Sequence, residues 1–409
     1  MDCARWSMRL LAGLLGLTGV VLLPSCRPDA EPAFPDPLAD YQPEPPNPGF
    51  ETMVQAGEAA AKDAGSLLDR LTWTPGYRRQ AIEKAQRALS LLRKAQAQPI
   101  EYVYSPQSPL NDRVERSGWR FLGMTLLWSA EDAIEKGDGK RAVRDLLTLF
   151  RLAWDLMGGD ALDVNLGYTM IQSVVQKTWQ QHSDLSPEDL SALSDGIRRI
   201  LENAPSVHQA LRHEEAAMLA AVQLVQDAFV SGGLEEIQRS LPDSTAPAFQ
   251  YLRSLKDKPQ REQVEYFQRF AQEARDRIAA WKRVASADPS EWGEIERPTG
   301  ERPWRRLAMH YFDASDRILP EYAYALAVSR LIATDAHLLA RLKAKKPLPN
   351  NLQSLPKSIR IDPYSGKDLM FRVVGTGYEL YSVGENRRDD RGSDVDLGDR
   401  LDITAPLRS

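Results

Sequence analysis

The chain has 409 residues, 43% of them hydrophobic and 27% charged, with a formal net charge of −5 at pH 7. That is globular composition, long enough for one large domain or two smaller ones. The mild acidic excess argues against a general nucleic-acid binder, which would carry a basic stripe or a basic surplus.

The first residues have the order of an export signal. Arg5 and Arg9 supply a short positive region, and Leu10 to Leu23 is an apolar run too short to span a bilayer comfortably. It ends in Leu23-Pro24-Ser25-Cys26. This resembles the lipobox of bacterial lipoproteins, with Leu at −3, a small residue at −1 and the obligatory Cys at +1; Pro24 departs from the pattern at −2. The resemblance implies a signal peptide over 1–25 and a diacylglycerol thioether on Cys26, with palmitate-type acyl chains as the membrane anchor. An ordinary secretory signal and an uncleaved anchor are the alternatives, and all three export the chain. Cys3 and Cys26 are the only cysteines. With Cys3 removed and Cys26 acylated, neither a disulfide framework nor a cysteine metal site can form.

Residues 26–49 carry eight prolines. Such a segment cannot be helical and favours extended polyproline chain, so it reads as a disordered tether. "PGFETMVQ" at 48–55 shares Gly-Phe with prepilin cleavage sites. No apolar helix follows, and the reading is rejected.

From about Glu51 to Ala344 the apolar period is helical, and 50–319 reads as an irregular α-helical domain. Val143, Leu146, Leu147, Phe150, Trp154 and Met157 form one stripe; Leu149, Leu152 and Leu156 form a second, which predicts a central helix. Met218, Val222, Val225 and Phe229 repeat the spacing, as do Val264, Phe267, Ala271, Ala274, Ile278 and Trp281. Ser186-Pro187-Glu188-Asp189 has the order of a helix start: cap, proline at the first position, two acids at the positive end. No repeat consensus recurs over this span.

Chemical motifs are sparse. "GDGK" at 137–140 lacks the spacing of a phosphate loop. "RHEEAAM" at 212–218 has Ala217 where a zinc-binding helix needs its second histidine, and His208 and His213, five apart, point apart. Glu214 and Glu215 are adjacent, diverge by about 100°, and read as a solvated helical face. His310, Asp313 and Arg317 share a predicted helix face, an ion-pair array in the simplest reading and the first candidates if the chain is an enzyme.

Pro347 and Pro349 end the last long helix, predicted over 321–345, and the pattern turns to β: 368–374, a Gly375-Thr376-Gly377 turn, then 378–383. The order "LPNNLQSL" (348–355), "DPYSG" (362–366), "YELYSVG" (378–384), an acidic loop and a closing Asp402-Ile403 resembles the C-terminal half of the major pseudopilins of type II secretion, and the endings of exported planctomycete-type proteins. The likeness covers roughly the last ninety residues. It implies a long helix packed on a small antiparallel sheet, with Ca²⁺ in the acidic loop. Asn386, Asp389, Asp390, Asp394 and Asp396 supply side-chain oxygens for such a site, and Gly384 and Gly392 allow tight turns. Arg387, Arg388 and Arg391 depart from the pattern and oppose a cation, so a solvated acidic turn is the alternative. The apolar N-terminal helix through which a pseudopilin polymerises is missing.

The expectation is therefore a mostly α protein: an irregular multi-helix domain followed, over 320–409, by a long helix and a small antiparallel β unit. The expected role is non-enzymatic, as a lipid-anchored envelope protein that binds an unidentified protein partner or contributes to an envelope or secretion assembly, with no nucleic acid involved. An exported enzyme with its site in the helical domain is the alternative.

Overall fold

The computed structural model describes residues 33–67, 74–106, 113–239, 245–293, 304, 307, 313–392 and 402–406. The helices are α1 (Pro48–Ala64), α2 (Pro75–Lys84), α3 (Gln86–Gln96), α4 (Val114–Glu135), α5 (Gly139–Leu156), α6 (Ala161–Lys177), α7 (Pro187–Glu202), α8 (Val207–Ser231), α9 (Leu234–Arg239), α10 (Ala246–Leu255), α11 (Gln260–Ala285), α12 (Ile318–Lys343) and α13 (Lys357–Arg360). A short 3₁₀ turn, Trp179–Asp184, follows α6. No described helix is long and apolar enough to cross a membrane.

Local chemistry sets the helix ends. Asn47 accepts from the Phe50 amide at 2.8 Å with Pro48 at the first position of α1, and Ser186 accepts from the Asp189 amide at 3.1 Å with Pro187 opening α7. Each side chain satisfies a donor that the first helical turn leaves unpaired. The two stripes read in α5 are both buried, apart from Leu147, which is half-buried.

α1 and α4 cross through a pair of glycines. A Cβ built on Gly118 would lie 1.7 Å from the carbonyl oxygen of Gly57. Only two hydrogen side chains allow this approach, and the Trp119 indole closes the crossing by donating to the Met53 carbonyl at 2.9 Å.

α12 is the axis of the second half of the molecule. It packs against α6, α7, α8, α13 and the sheet. Small groups on it make polar contacts to its neighbours: Ser329 accepts from the Trp154 indole at 3.1 Å, and the Ala333 carbonyl accepts from Ser194 at 2.7 Å.

The sheet is antiparallel in the order β1 (Met370–Val374), β2 (Gly377–Ser382), β3 (Ile403–Thr404). Val374 pairs with Gly377, so the hairpin loop is Gly375-Thr376, and Gly375 takes φ +57°. A glycine at the first centre of a two-residue loop suits the right-handed strand twist. The Asp362 carboxylate ties the preceding loop to the sheet. It accepts from the Tyr364 amide at 3.1 Å, the Ser382 hydroxyl at 2.8 Å and the Val383 amide at 3.1 Å.

One continuous cluster of buried residues runs from Phe50 to Ala405, with α12 inside it. Residues 33–47 are irregular chain with one turn over 37–40, and they are docked rather than free. Phe34 packs on Phe229 and Phe267 at ring distances of 6.1 and 5.9 Å. Gln226 donates to the Pro35 carbonyl at 2.8 Å, and Arg275 to the Pro37 carbonyl at 3.0 Å. Proline removes backbone donors but leaves carbonyls, and α8 and α11 supply side-chain donors to them.

Candidate functional site

A dense array of ionisable side chains lies where the docked segment, residues 101–104, and the N-terminal ends of α4, α6 and α8 meet. α6 begins at Asp160, whose carboxylate accepts from the amides of Leu162 at 3.0 Å and Asp163 at 3.2 Å. The next free amide, that of Ala161, donates to Glu214 of α8 at 2.8 Å. Three buried carboxylates thus gather at the positive end of one helix.

α4 brings the counter-charge. Arg116 donates to Asp163 through Nε at 2.8 Å and through Nη2 at 3.0 Å, and reaches Asp160 at 2.5 Å. Arg113 donates to the Tyr102 hydroxyl at 2.6 Å, contacts Asp163 at 3.4 Å and pairs with Glu115 at 3.0 Å. Its guanidinium also lies 5.8 Å from the Tyr102 ring centre and 6.0 Å from that of Tyr104. Tyr102 donates its phenol to Asp163.

The docked segment closes the top. Tyr41 donates to the Tyr104 carbonyl at 2.7 Å, and the Tyr104 amide donates to Glu44 at 3.3 Å. His213 is buried with Nδ1 2.6 Å from the Gly158 carbonyl and Nε2 2.9 and 3.0 Å from the two oxygens of Glu44. The Tyr104 ring stacks over His213 at 6.0 Å, and that of Tyr102 lies 5.3 Å away.

Burial sets the titration of the cluster. It pushes Glu214 up to about 8, with Asp160 adding to the effect and the Ala161 amide opposing it. Asp160 is raised by burial and by Asp163, against Arg116 and Arg113. Burial also raises Tyr102 and Tyr104, keeping both phenols protonated. In Glu44 burial opposes ionisation, but its hydrogen bond to and charge interaction with His213 outweigh that, and the carboxyl is held below its ordinary value.

Glu214 is therefore a carboxylic acid at neutral pH, the usual requirement of a general acid. Access is a second requirement, and here its surroundings are protein. A cavity of about 490 Å³ lies elsewhere, beside the sheet, lined by Val175, Trp179, Glu379, Tyr381 and Thr404 among others.

The structure revises the reading of the adjacent glutamates. Glu215 is half-buried and paired with Lys282 at 2.5 Å, and Glu214 is buried. Its position carried a signal: it falls in the 3–4 spacing of Leu211, Met218, Val222 and Val225, the buried stripe of α8. Asp160 and Asp163 were legible as a cap and third-position acid opening α6. Nothing local marks Glu44, Tyr102, Arg113 or Arg116.

The acidic loop places three of its five predicted ligands. Asn386 accepts from the Arg388 amide at 2.9 Å and donates to Asp390 at 2.7 Å. Asp389 accepts from the Tyr381 hydroxyl and the Arg391 amide, both at 2.9 Å. Asp402, not singled out as a ligand, accepts from the Gly392 amide at 2.7 Å and the Asp390 amide at 3.4 Å. The loop is thus held by its own hydrogen bonds. A calcium cage needs six to eight oxygens, and among the described residues no three His, Cys, Asp or Glu side chains gather in a metal-binding group. Asp394 and Asp396 lie outside the described residues, as do Cys26 and His310; Asp313 opens a 3₁₀ turn, Asp313–Arg317.

Comparisons with family models, with curated proteins and with solved structures give no match.

Proposed function

We propose that this chain is a lipid-anchored envelope protein with a non-enzymatic role, binding a protein partner or bracing an envelope assembly. The observation that carries this reading is the internal pairing of the carboxylates in the cluster at the start of α6. Both oxygens of Asp163 are taken by Tyr102, Arg113 and Arg116, while Asp160 and Glu214 hold the backbone at the start of α6. The cluster works as a brace that fixes the segment downstream of Cys26 onto the body. Export and the anchor come from the lipobox-like Leu23-Pro24-Ser25-Cys26, and the pseudopilin-like order of the C-terminal motifs suggests an envelope or secretion assembly as the setting.

The test is radiolabelled palmitate incorporation with membrane fractionation of the full chain and of Cys26→Ser. Label on the first and not the second, with loss of the second from membranes or arrest of its maturation, supports the anchor. An unlabelled wild-type chain, or a variant matured and membrane-bound as before, rules it out.

A further inference from the structure

We propose that the seam of α8 and α11, filled here by residues 34–38, is a docking groove for an extended peptide of a partner protein. The peptide it fits carries an aromatic residue, next a residue with a free backbone N–H, and a proline two positions further on. The inference deepens the partner-binding half of the proposed function, and makes the chain's own segment the resident competitor in the groove.

The resident segment shows what the groove reads. Phe34 enters an aromatic slot between Phe229 of α8 and Phe267 of α11, its ring centre 6.1 and 5.9 Å from theirs. Pro37 is buried, and Leu38 packs on the same core. Two side chains take the backbone between these anchors. Gln226 donates to the Pro35 carbonyl at 2.8 Å, and Arg275 to the Pro37 carbonyl at 3.0 Å. Residues 33–36 make no turn, and Phe34 and Asp36 each precede a proline, which disfavours the helical region for both. Aromatic-lined grooves are the usual receptors of such proline-containing chain.

The Gln226 amide shows that a better occupant exists. Gln226 is 4% exposed, and its nitrogen is committed to the Pro35 carbonyl, because a carbonyl only accepts. Its oxygen, Oε1, is buried and has no hydrogen-bond partner among the described residues. A side-chain amide presents a donor and an acceptor side by side, and in extended chain the C=O and N–H of one residue point to the same side. Gln226 is therefore suited to pair with both backbone groups of the residue after the aromatic. At position 35 that residue is proline, which has no N–H. An unmet buried acceptor is a standing cost, and a partner peptide with any other residue there removes it. Such a peptide displaces residues 34–38 without undocking the rest. The bonds from Tyr41 to the Tyr104 carbonyl and between Glu44 and His213 lie beyond the turn at 37–40 and still hold the chain to the body.

The test is fluorescence anisotropy of labelled peptides with the full-length protein and with its Phe34→Ala variant, which empties the slot. One peptide has the sequence of residues 33–39, a second carries Pro35→Ala, and a third has that alanine N-methylated. The Pro35→Ala peptide should bind roughly two- to ten-fold more tightly than the parent, the gain from one net hydrogen bond. N-methylation should remove the gain, and all three peptides should bind Phe34→Ala more tightly than the wild type. Pro35→Ala in the protein itself meets the acceptor in cis and should weaken peptide binding by a similar factor. Equal affinities of the alanine and N-methyl peptides, or no binding to either protein, overturns the groove and leaves the anchored envelope reading to the palmitate experiment. Exchange of residues 33–47 between two copies, seen as a dimer that the peptides do not dissociate, overturns it as well.

Discussion

Tyr378 of β2 donates its phenol to the buried carboxylate of Asp335, in the middle of α12, at 2.7 Å. The other oxygen of the same carboxylate takes the Trp179 indole at 2.8 Å. One side chain thus holds the sheet and the turn after α6 to the central helix. Tyr378→Phe removes one donor and leaves an acceptor with a partner, so it should destabilise by about 1–2 kcal/mol. Asp335→Ala removes the carboxylate from both the Trp179 indole and Tyr378, whose hydroxyl keeps only the Asp335 carbonyl at 3.0 Å, and opens a void, so a larger loss, about 2–4 kcal/mol, is expected. Urea denaturation of both variants checks the order; equal, small losses would show that the sheet is held by packing alone.

Stability should fall as pH rises through neutrality. Glu214 is raised from 4.5 to about 8 and Asp155, a buried acid of α5 facing Arg151, from 3.8 to about 7, both chiefly by burial. Between the ordinary and raised values the native state keeps protons that the unfolded chain has lost. The contribution is whole below the ordinary carboxylate range, declines through this window, and is gone above about pH 8. Glu44, held below its ordinary value, works the other way, its contribution being lost only on acidification. The wild-type midpoint should be higher at pH 5.5 than at pH 8. Glu214→Gln should flatten that slope; an unchanged slope would mean that Glu214 ionises freely.

The two glycines at the α1–α4 crossing should be intolerant. Gly118→Ala places a methyl group inside van der Waals contact of the Gly57 carbonyl, which forces the helices apart and should cost about 3 kcal/mol or more. Gly76→Ala, in the first turn of α2 with nothing closer than 3.9 Å, should be neutral or gain up to about 1 kcal/mol. Thermal melts of the pair discriminate steric from propensity effects.

Limited proteolysis should leave a core that begins near Ala33 rather than near Phe50, because the segment between them is bonded to α8 and α11. Phe34→Ala removes a ring packed on two others and should cost about 2–4 kcal/mol of local or global stability. It should also move the first cleavage into 34–47. Cleavage of the wild type within 34–47 at the same rate would contradict the docking.

Calcium at the acidic loop is proposed on the resemblance alone, and its effect should be small because the loop already closes on its own donors. At ten times a millimolar-range Kd the gain is on the order of 1.4 kcal/mol. A rise in Tm of about one or two degrees is expected with calcium, lost in Asp389→Asn/Asp390→Asn. A melt indifferent to millimolar calcium reduces the loop to a hydrogen-bonded turn.

What the sequence determined by itself is the content and ends of the elements. The stripes of α5 and α8, the Ser186-Pro187 start, the stop before Pro347 and the hairpin about Gly375 all depend on residues within a few positions of one another. Periodicity and capping are local, so they are written locally. The tertiary structure alone decided where the charges went. Glu44 and His213 are 169 residues apart, and the first stood in a proline-rich stretch that composition alone describes as solvated chain. A carboxylate in the buried stripe of a helix is tolerable only when other elements deliver donors and counter-charge to it, and those donors come from α4, α6 and residues 101–104. The same holds for Gly57 and Gly118: each reads as a weak helical residue until the crossing of two backbones makes any side chain too large.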